Sequence, residues 1–529
     1  KTTKLEYDIK GNVTKITDAE NGASYPTIIQ YNPDYSLPTY RKDPKGNETT
    51  YVYDNGKLTE IHEPLNKTTI MTYYPYGKIQ TLTDAENNLT EFEYDQWGYP
   101  KKIKRHTETG IVELNFTYDI VGNLLSETDE EDKTRNYAYD ENNNIKEIKD
   151  GSNNIIISKT YDKNDNPKTV TDSLNHIISY EHDWVGNQTK ITEYDEFGTE
   201  YTTELAYDNK DYLHLGKSDL IRIKDQEGNI TNILYTKETS GDGERRLIVA
   251  TDAENRVTKK QFDKLYRLAY LEDAAGKKTY YGFDYLKRLK TVTYPDSTSE
   301  AYTYDRADNI ATKRDRKYQT ITYQHDALNR LEHKIYPNST QIDYTYDKVN
   351  NLKNVVSPTG TTVMTYDKLH RLKDAVYPEN KTVAYEYYNN GLRKKLIYPD
   401  GSYITYHYDP LTKLTDIKDS SGNVIAHYGY DGLSSRRDIL TYANGTSIDY
   451  EYNALSRTKS IKNKLTTCNA FSQFDYTYDK VGNRKTATTN EGLYTYTYDK
   501  TYQLIDVSYP DSRTAHYQYD VMGNRQYVD

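Results

Sequence analysis

A Tyr-Asp pair that returns about every 21 residues is the feature that most limits what this chain can become. The pair, or a near variant, stands at Tyr118-Asp119, Tyr139-Asp140, Tyr161-Asp162 and His182-Asp183. It resumes at Phe262-Asp263, Phe283-Asp284, Tyr304-Asp305, His325-Asp326 and Tyr346-Asp347. It continues through Tyr366-Asp367, Tyr387-Tyr388, Tyr408-Asp409, Tyr430-Asp431 and Tyr452-Asn453, and then Tyr478-Asp479, Tyr498-Asp499 and Tyr519-Asp520. Earlier copies at Tyr7, Tyr31, Tyr53, Tyr74 and Tyr94, with degenerate copies near Tyr207 and Tyr235, bring the count to about 24. A period held this long marks a repeat architecture, in which each unit is one supersecondary element.

One unit can be read physically. Before the Asp, residues alternate, as in Tyr494-Thr495-Tyr496-Thr497-Tyr498. A period of two places the rings on one face of a strand, and Tyr and Thr are strand formers. A turn follows, such as Asp479-Lys480-Val481-Gly482-Asn483. Asp accepts backbone N–H groups at a turn start, and Gly-Asn supplies residues that tolerate positive φ. The signature residues are Tyr7, Asp8, Gly11 and Asn12; Tyr118, Asp119, Gly122 and Asn123; Tyr346 and Asp347; Tyr478, Asp479, Gly482 and Asn483; and Tyr519, Asp520, Gly523 and Asn524. Elsewhere the Gly is replaced, as in Asp326 to Arg330 and Asp367 to Arg371. A second strand carries apolar anchors such as Leu331 and Ile335. A second turn reads Asp-Ala-Glu-Asn from Asp18, Asp84 and Asp252, or Tyr-Pro-Asp from Tyr294, Tyr398 and Tyr509. Two strands of about six residues and two turns of about four account for the period. The expected fold is all-β: tandem hairpins forming a continuous spiral sheet, hollow or partly open, in one array over 1–529. Longer units are expected at 207–262 and 452–478.

Composition agrees with thin structure. The chain of 529 residues has 59 Tyr against 7 Phe, 3 Met and 2 Trp, and its mean hydropathy is -0.98. Such a chain cannot fill a deep dry core, yet it is too aromatic to be disordered. Tyr suits a sheet surface, with an apolar ring for packing and a hydroxyl that can stay wet. Tyr ladders across neighbouring strands are the expected source of cohesion.

Several function classes are excluded or disfavoured. The net charge is -11 and the Lys and Arg residues form no basic stripe, which argues against nucleic acid. The single Cys468 excludes a disulfide framework and a Cys-based zinc site, and is expected in a loop of a stretched unit. No run of about 18 apolar residues exists to span a membrane. The 11 histidines have no metal spacing; His182 and His325 read as substituted ring positions. The acidic run Asp129-Glu130-Glu131-Asp132 reads as a solvated turn, not a calcium loop. The insert Thr239-Ser240-Gly241-Asp242-Gly243-Glu244 reads as a surface loop. No nucleophile, phosphate-loop or zinc-protease motif is present, so no catalytic residue, cofactor site or metal site is expected. The chain begins at Lys1 inside a repeat and reads as a piece of a longer protein.

The Tyr-Asp-x-x-Gly-Asn turn at this period resembles the YD, or RHS, repeat. That family includes bacterial RHS proteins, wall-associated polymorphic toxins, the B and C subunits of insecticidal toxin complexes, and the teneurins. The resemblance implies a spiral sheet closing as a hollow shell, and in bacterial members a shell that holds a toxic C-terminal polypeptide. It also implies a downstream core segment with an Asp-Pro-rich self-cleavage motif. Asp43-Pro44 and Asp409-Pro410 lie instead within repeats. The function expected from it is a non-catalytic shell of a protein that is secreted or held at the cell surface or wall, with an enclosed or adjacent polypeptide as partner. The alternative is an extended cell-surface binding or adhesion module whose Tyr-rich faces or loops contact glycans or other cells.

Overall fold

The computed structural model describes residues 2–22, 24–208, 218–240, 243–465 and 470–528. Among them the chain forms 48 β-strands, β1 (Lys4–Tyr7) to β48 (Arg525–Val528), and one 3-10 turn at Pro378–Asn380. The fold is all-β, and consecutive strands pair antiparallel, as β31 (Gln341–Tyr346) does with β32 (Leu352–Ser357).

The repeat closes at 21 residues in a slightly different way from the expectation. Strand Thr320–His325 has six residues and strand Leu331–Ile335 has five. The turns Asp326–Arg330 and Tyr336–Thr340 span five each, not four, because both bridge first to fifth residue. The Asp326 N–H donates to the Arg330 carbonyl at 2.9 Å, and the Asn329 N–H donates back to the Asp326 carbonyl at 3.0 Å. This is a type I turn completed by a left-handed fourth residue, whose twist matches that of the flanking strands. After each signature turn the ladder slips by one residue, so that Tyr346 faces Leu352 while Thr345 faces Asn354. Such a bulge bends and twists its strand.

The interior is thin. Its most buried side chains are small, such as Ala375 at 2% and Ala487 at 3% exposure. Ala487 lies opposite Tyr476, and Val507 opposite Tyr496, so a ring on the first strand covers a small residue on the second.

The longer units are longer hairpins. The strands Ile230–Ser240 and Gly243–Thr251 stay in register from Asn232 opposite Thr251 to Ser240 opposite Gly243. The described residues of the expected insert therefore lengthen the two strands, because paired backbone satisfies more N–H and C=O groups. Residues 241–242, at the tip of the expected insert, and Cys468 lie outside the described residues.

Contacts divide the chain into two units, each built from two stretches distant in sequence. The first contains Lys1–Asp132 and Tyr280–Tyr403, and the second Lys133–Thr279 and Ile404–Asp529.

Candidate functional site: the hairpin turns and the seam between rows

In the signature turns that open on Asp one carboxylate organises the loop, and at Asn453 an amide oxygen takes its place, accepting the Arg457 N–H at 2.9 Å. The Asp8 Oδ1 accepts the N–H groups of Lys10 and Asn12, both at 2.9 Å, and its Oδ2 accepts the Asn12 side chain at 2.9 Å. Asp119 does the same with Val121 and Asn123, Asp347 with Val349 and Asn351, and Asp520 with Met522 and Asn524. At Asp479 the bonds come from Gly482 and Asn483. The Asn12 side chain first, and then its backbone, holds the Asp8 carboxyl below its usual value. The Asn side chain is thus a carboxylate clamp. In the five-residue signature turns positive φ falls on the fourth residue: Gly11 at 84°, Gly122 at 97°, Gly482 at 101° and Gly523 at 82°, or Asn329 at 61° where Gly is absent.

Arg replaces Asn without loss. The Arg330 Nε donates to the Asp326 Oδ2 at 2.7 Å, and Arg371 and Arg288 clamp Asp367 and Asp284 at 2.6 Å. The guanidinium also reaches the next hairpin. Arg330 lies 4.6 Å from the centre of the Tyr346 ring, Arg371 4.9 Å from Tyr387 and Arg288 4.3 Å from Tyr304. Where ladders of Tyr on Tyr were expected, these signature rings take a cation from the preceding turn.

Within the array the signature hydroxyls of Tyr346, Tyr478 and Tyr519 do not stay wet, whereas Tyr7 is 57% exposed. Tyr346 donates to the Leu331 carbonyl at 2.9 Å, Tyr478 to Thr458 at 2.6 Å and Tyr519 to Leu504 at 2.8 Å. Each bond crosses to the first residue or residues of the preceding strand. Burial raises the Tyr346 phenol above its usual pKa. The period-two pattern places the ring, but nothing in it marks this acceptor. Near residue 74 the register is corrected by one position. Tyr73 donates to Leu58 at 2.7 Å, whereas Tyr74 opens the turn with its N–H on the Lys78 carbonyl. His182 and His325 face Gln188 and Leu331 at the bulge, in the Tyr place. Asp43 and Asp409 each open a five-residue turn.

Within each unit a second turn of the first stretch meets a signature turn of the second stretch. In the first unit the carboxylates of Glu20, Glu86, Glu108 and Glu131 accept the backbone N–H groups of Tyr285, Lys348, Lys368 and Asn389, at 3.0, 2.8, 2.9 and 2.7 Å. In the second unit Glu227 and Glu254 accept those of Lys480 and Lys500, at 2.6 and 3.1 Å. Every acceptor is the third residue of its turn except Glu108, the second residue of the shorter turn Thr107–Gly110, and every donor follows the first residue of its turn. Glu86 follows the eighth strand (Ile79–Thr83) and Lys348 the 31st (Gln341–Tyr346), a difference of 23. Glu227 follows the 20th (Asp219–Lys224) and Lys480 the 43rd (Ala470–Tyr478), again 23. A second set of contacts reaches one hairpin further. Asn21 donates to the Arg306 carbonyl at 2.9 Å, and Asn229 to the Tyr502 hydroxyl at 2.9 Å, each across 25 strands. Each acidic turn therefore nests between two signature turns, and the contact pattern repeats after 24 strands in both units.

The acidic run 129–132 belongs to this seam and is not a solvated turn. Beside the Glu131 bond, the Asp129 Oδ2 accepts the Asn390 side chain at 2.8 Å, and Glu130, its side chain 7% exposed, pairs with Arg105 at 3.1 Å. Among the described residues no group of three His, Cys, Asp or Glu side chains could hold a metal ion. Nor, among the described residues, is any helix long and apolar enough to cross a membrane.

The family described as Teneurin YD-shell matches residues 1–177 and 296–464. The chain belongs to this family. The YD-shell match covers the bulk of both stretches of the first unit and parts of the second. Solved structures share the fold. The crystal structure of TcdB2-TccC3 has a TM-score of 0.58 at 12% identity, covering all of this chain and 34% of that one. The same complex without its hypervariable C-terminal region has a TM-score of 0.60 at 12% identity, covering all of this chain and 36% of that one. The Photorhabdus luminescens Tc holotoxin pore has a TM-score of 0.54 at 13% identity, covering 99% of this chain and 34% of that one. This YD-shell chain spans about a third of the length of the solved chains it matches. No curated protein matches its sequence. The Teneurin YD-shell is a structural scaffold, and the turn and seam geometry above is how this member builds it.

Proposed function

We propose that residues 1–529 are one uninterrupted array that forms the wall of an extracellular shell, non-catalytic, enclosing or presenting a polypeptide made with it. The observation that carries the reading is the seam. In each unit, rows of hairpins are tied side by side by carboxylate-to-amide bonds that recur at a constant strand offset. A row of hairpins alone leaves its turns as free edges; rows tied in this way make a surface with two faces, which is what a container needs. The fold likeness to the TcdB2-TccC3 chains and the Tc holotoxin pore supports a partner polypeptide of toxin-complex kind. In this reading Tyr346, Asp347 and their counterparts are wall-building residues and contact no ligand.

The test is protection. Co-expressed with the polypeptide of the same gene product, the array should retain it through purification and shield it from protease until denaturant is added. Digestion at the rate of the free polypeptide would sink the proposal.

A further inference from the structure

One contact in the seam of the first unit is made by a cation where Glu20 and Glu86 use a carboxylate. The turn Asp43–Asn47 follows the fourth strand (Pro38–Lys42), and its third residue is Lys45. The Lys45 ammonium donates to the carbonyls of His325 and Asp326, at 3.0 and 3.2 Å, across 280 and 281 residues of chain. It also lies 3.5 Å from the Asp305 Oδ2. Asp305 opens the turn after the 27th strand (Ser299–Tyr304), and Asp326 the turn after the 29th (Thr320–His325). One ammonium therefore ties the Asp43 turn to both signature turns between which it nests.

A second nitrogen sits beside the same carboxylate oxygen. The His325 Nδ1 lies 3.9 Å from the Asp305 Oδ2; the His325 side chain is 13% exposed, and this nitrogen has no hydrogen-bond partner. The charged groups around the ring are Asp305 from the preceding signature turn, Lys45 from the first stretch and Asp326 from its own turn. The Asp326 carboxylate is already engaged by the Leu328 and Arg330 N–H groups and by the Arg330 Nε. Asp305 is thus the counter-ion open to a charged His325, and it is the one that holds Lys45.

We propose that this site is an acid-sensitive release in the seam: a proton on His325 places a second cation at the Asp305 oxygen, competes with Lys45 there, and loosens the Asp43 turn from its two neighbours. The direction agrees with the ring's surroundings. Burial lowers the His325 pKa below its usual 6.5, against the pull of Asp305 and with Lys45 acting alongside burial. A ring held neutral in the closed seam binds its proton more tightly once the seam opens. Its contribution is therefore complete above about pH 6.5 and is lost as the pH falls toward the lower closed-seam value. That window lies above the one in which carboxylates protonate.

Hydrogen exchange on the full chain at about pH 7.5 and 5.5, corrected for the intrinsic rate at each pH, tests this. In the parent the amides of Asp305, Asp326 and Asn329, which close the two signature turns, should lose protection about three- to tenfold at the lower pH, one unit below 6.5 setting the upper bound. Amides of the Asp479 turn in the second unit should be unchanged. His325→Phe, which takes up no proton, should abolish the loss. Lys45→Met, which removes the competing cation, should show a smaller loss than the parent. Circular dichroism should confirm an unchanged sheet in both variants. Equal protection at the two pH values in the parent overturns the proposal. So does a loss that persists in His325→Phe, or one that Lys45→Met leaves undiminished. A pH-insensitive seam would still tie the rows, so these outcomes are distinct from failure of the wall.

Discussion

The carboxylate of Glu86 accepts the backbone N–H of Lys348 at 2.8 Å, across 262 residues of chain. The same bond recurs between Glu108 and Lys368 with a separation of 260, and between Glu227 and Lys480 with 253. The residue separation drifts while the strand offset stays at 23, so the array counts hairpins and not residues. Varied hairpin lengths are absorbed within the hairpins, whose turns keep their lateral spacing because neighbouring strands lie about 4.8 Å apart whatever their length.

Removing these acceptors should loosen the seam locally. In a Glu86→Ala, Glu108→Ala variant, the Lys348 and Lys368 amides should exchange with solvent about three- to tenfold faster, while amides within strand Leu352–Ser357 are unchanged. The Gln pair keeps an acceptor and should fall between. Equal exchange in parent and variant would mean that the seam bond contributes nothing.

The hydroxyl of Tyr346 should be worth a measurable amount. Tyr346→Phe removes the bond to the Leu331 carbonyl, leaves the ring under Arg330, and should cost about 1 kcal/mol. Tyr346→Ala removes ring, hydroxyl and cation contact together, and should cost about 2–4 kcal/mol. Either loss should stay local, since repeat arrays sum nearest-neighbour terms. Hydrogen exchange read hairpin by hairpin checks this, and global unfolding on Tyr346→Ala counts against it.

His325 leaves an opening for improvement. Its Nδ1 is buried without a hydrogen-bond partner, and the nearest carboxylate oxygen, on Asp305, is 3.9 Å away. Burial lowers the ring's pKa below the usual value of 6.5. A Tyr here would place its hydroxyl toward the Ile310 carbonyl, as Tyr304 does toward Leu289 and Tyr346 toward Leu331. His325→Tyr should therefore stabilise its hairpin by about 1 kcal/mol, seen as slower exchange across Thr320–Ile335.

Two glycines of the same turn type should differ. Gly11 has φ 84° and open space around the position of a Cβ, so Gly11→Ala carries only the left-handed backbone cost of about 1 kcal/mol. A Cβ at Gly122, φ 97°, would overlap the Tyr99 hydroxyl. Gly122→Ala adds that overlap to the backbone cost and should lose about 1–3 kcal/mol more. Paired denaturation curves decide it, and equal losses would remove the Tyr99 argument.

Acid should open the turns before the strands. Asp8, Asp162, Asp419 and Asp520 are held below the ordinary value of 3.8, first by their Asn partners at the fifth place. A depressed carboxylate contributes stability that is fully present above 3.8 and is lost as the pH falls through the lower folded value. Turn amides such as those of Lys10 and Ser421 should lose protection below about pH 4, ahead of the ladder amides. Replacing Asp419 with Asn should flatten that response at its own turn only.

Most of the local architecture was readable in the residue order. Alternation before each Asp, turn residues after it and a constant period lead to hairpins, because strand pairing and turn type depend on neighbours within about ten positions. The role of the fifth turn residue was obscured, since Asn also tolerates positive φ and only coordinates show its amide on the Asp carboxylate. The Asp129–Asp132 run looked solvated because its partners lie about 260 residues away.

Residue order settled the hairpin, its period, its turn chemistry and the thinness of the core, all of which follow from contacts between sequence neighbours. Which turns meet at the seam was decided in three dimensions. The 24-strand repeat of those contacts comes from twist and bulge bending summed over many hairpins, and no single unit encodes that sum.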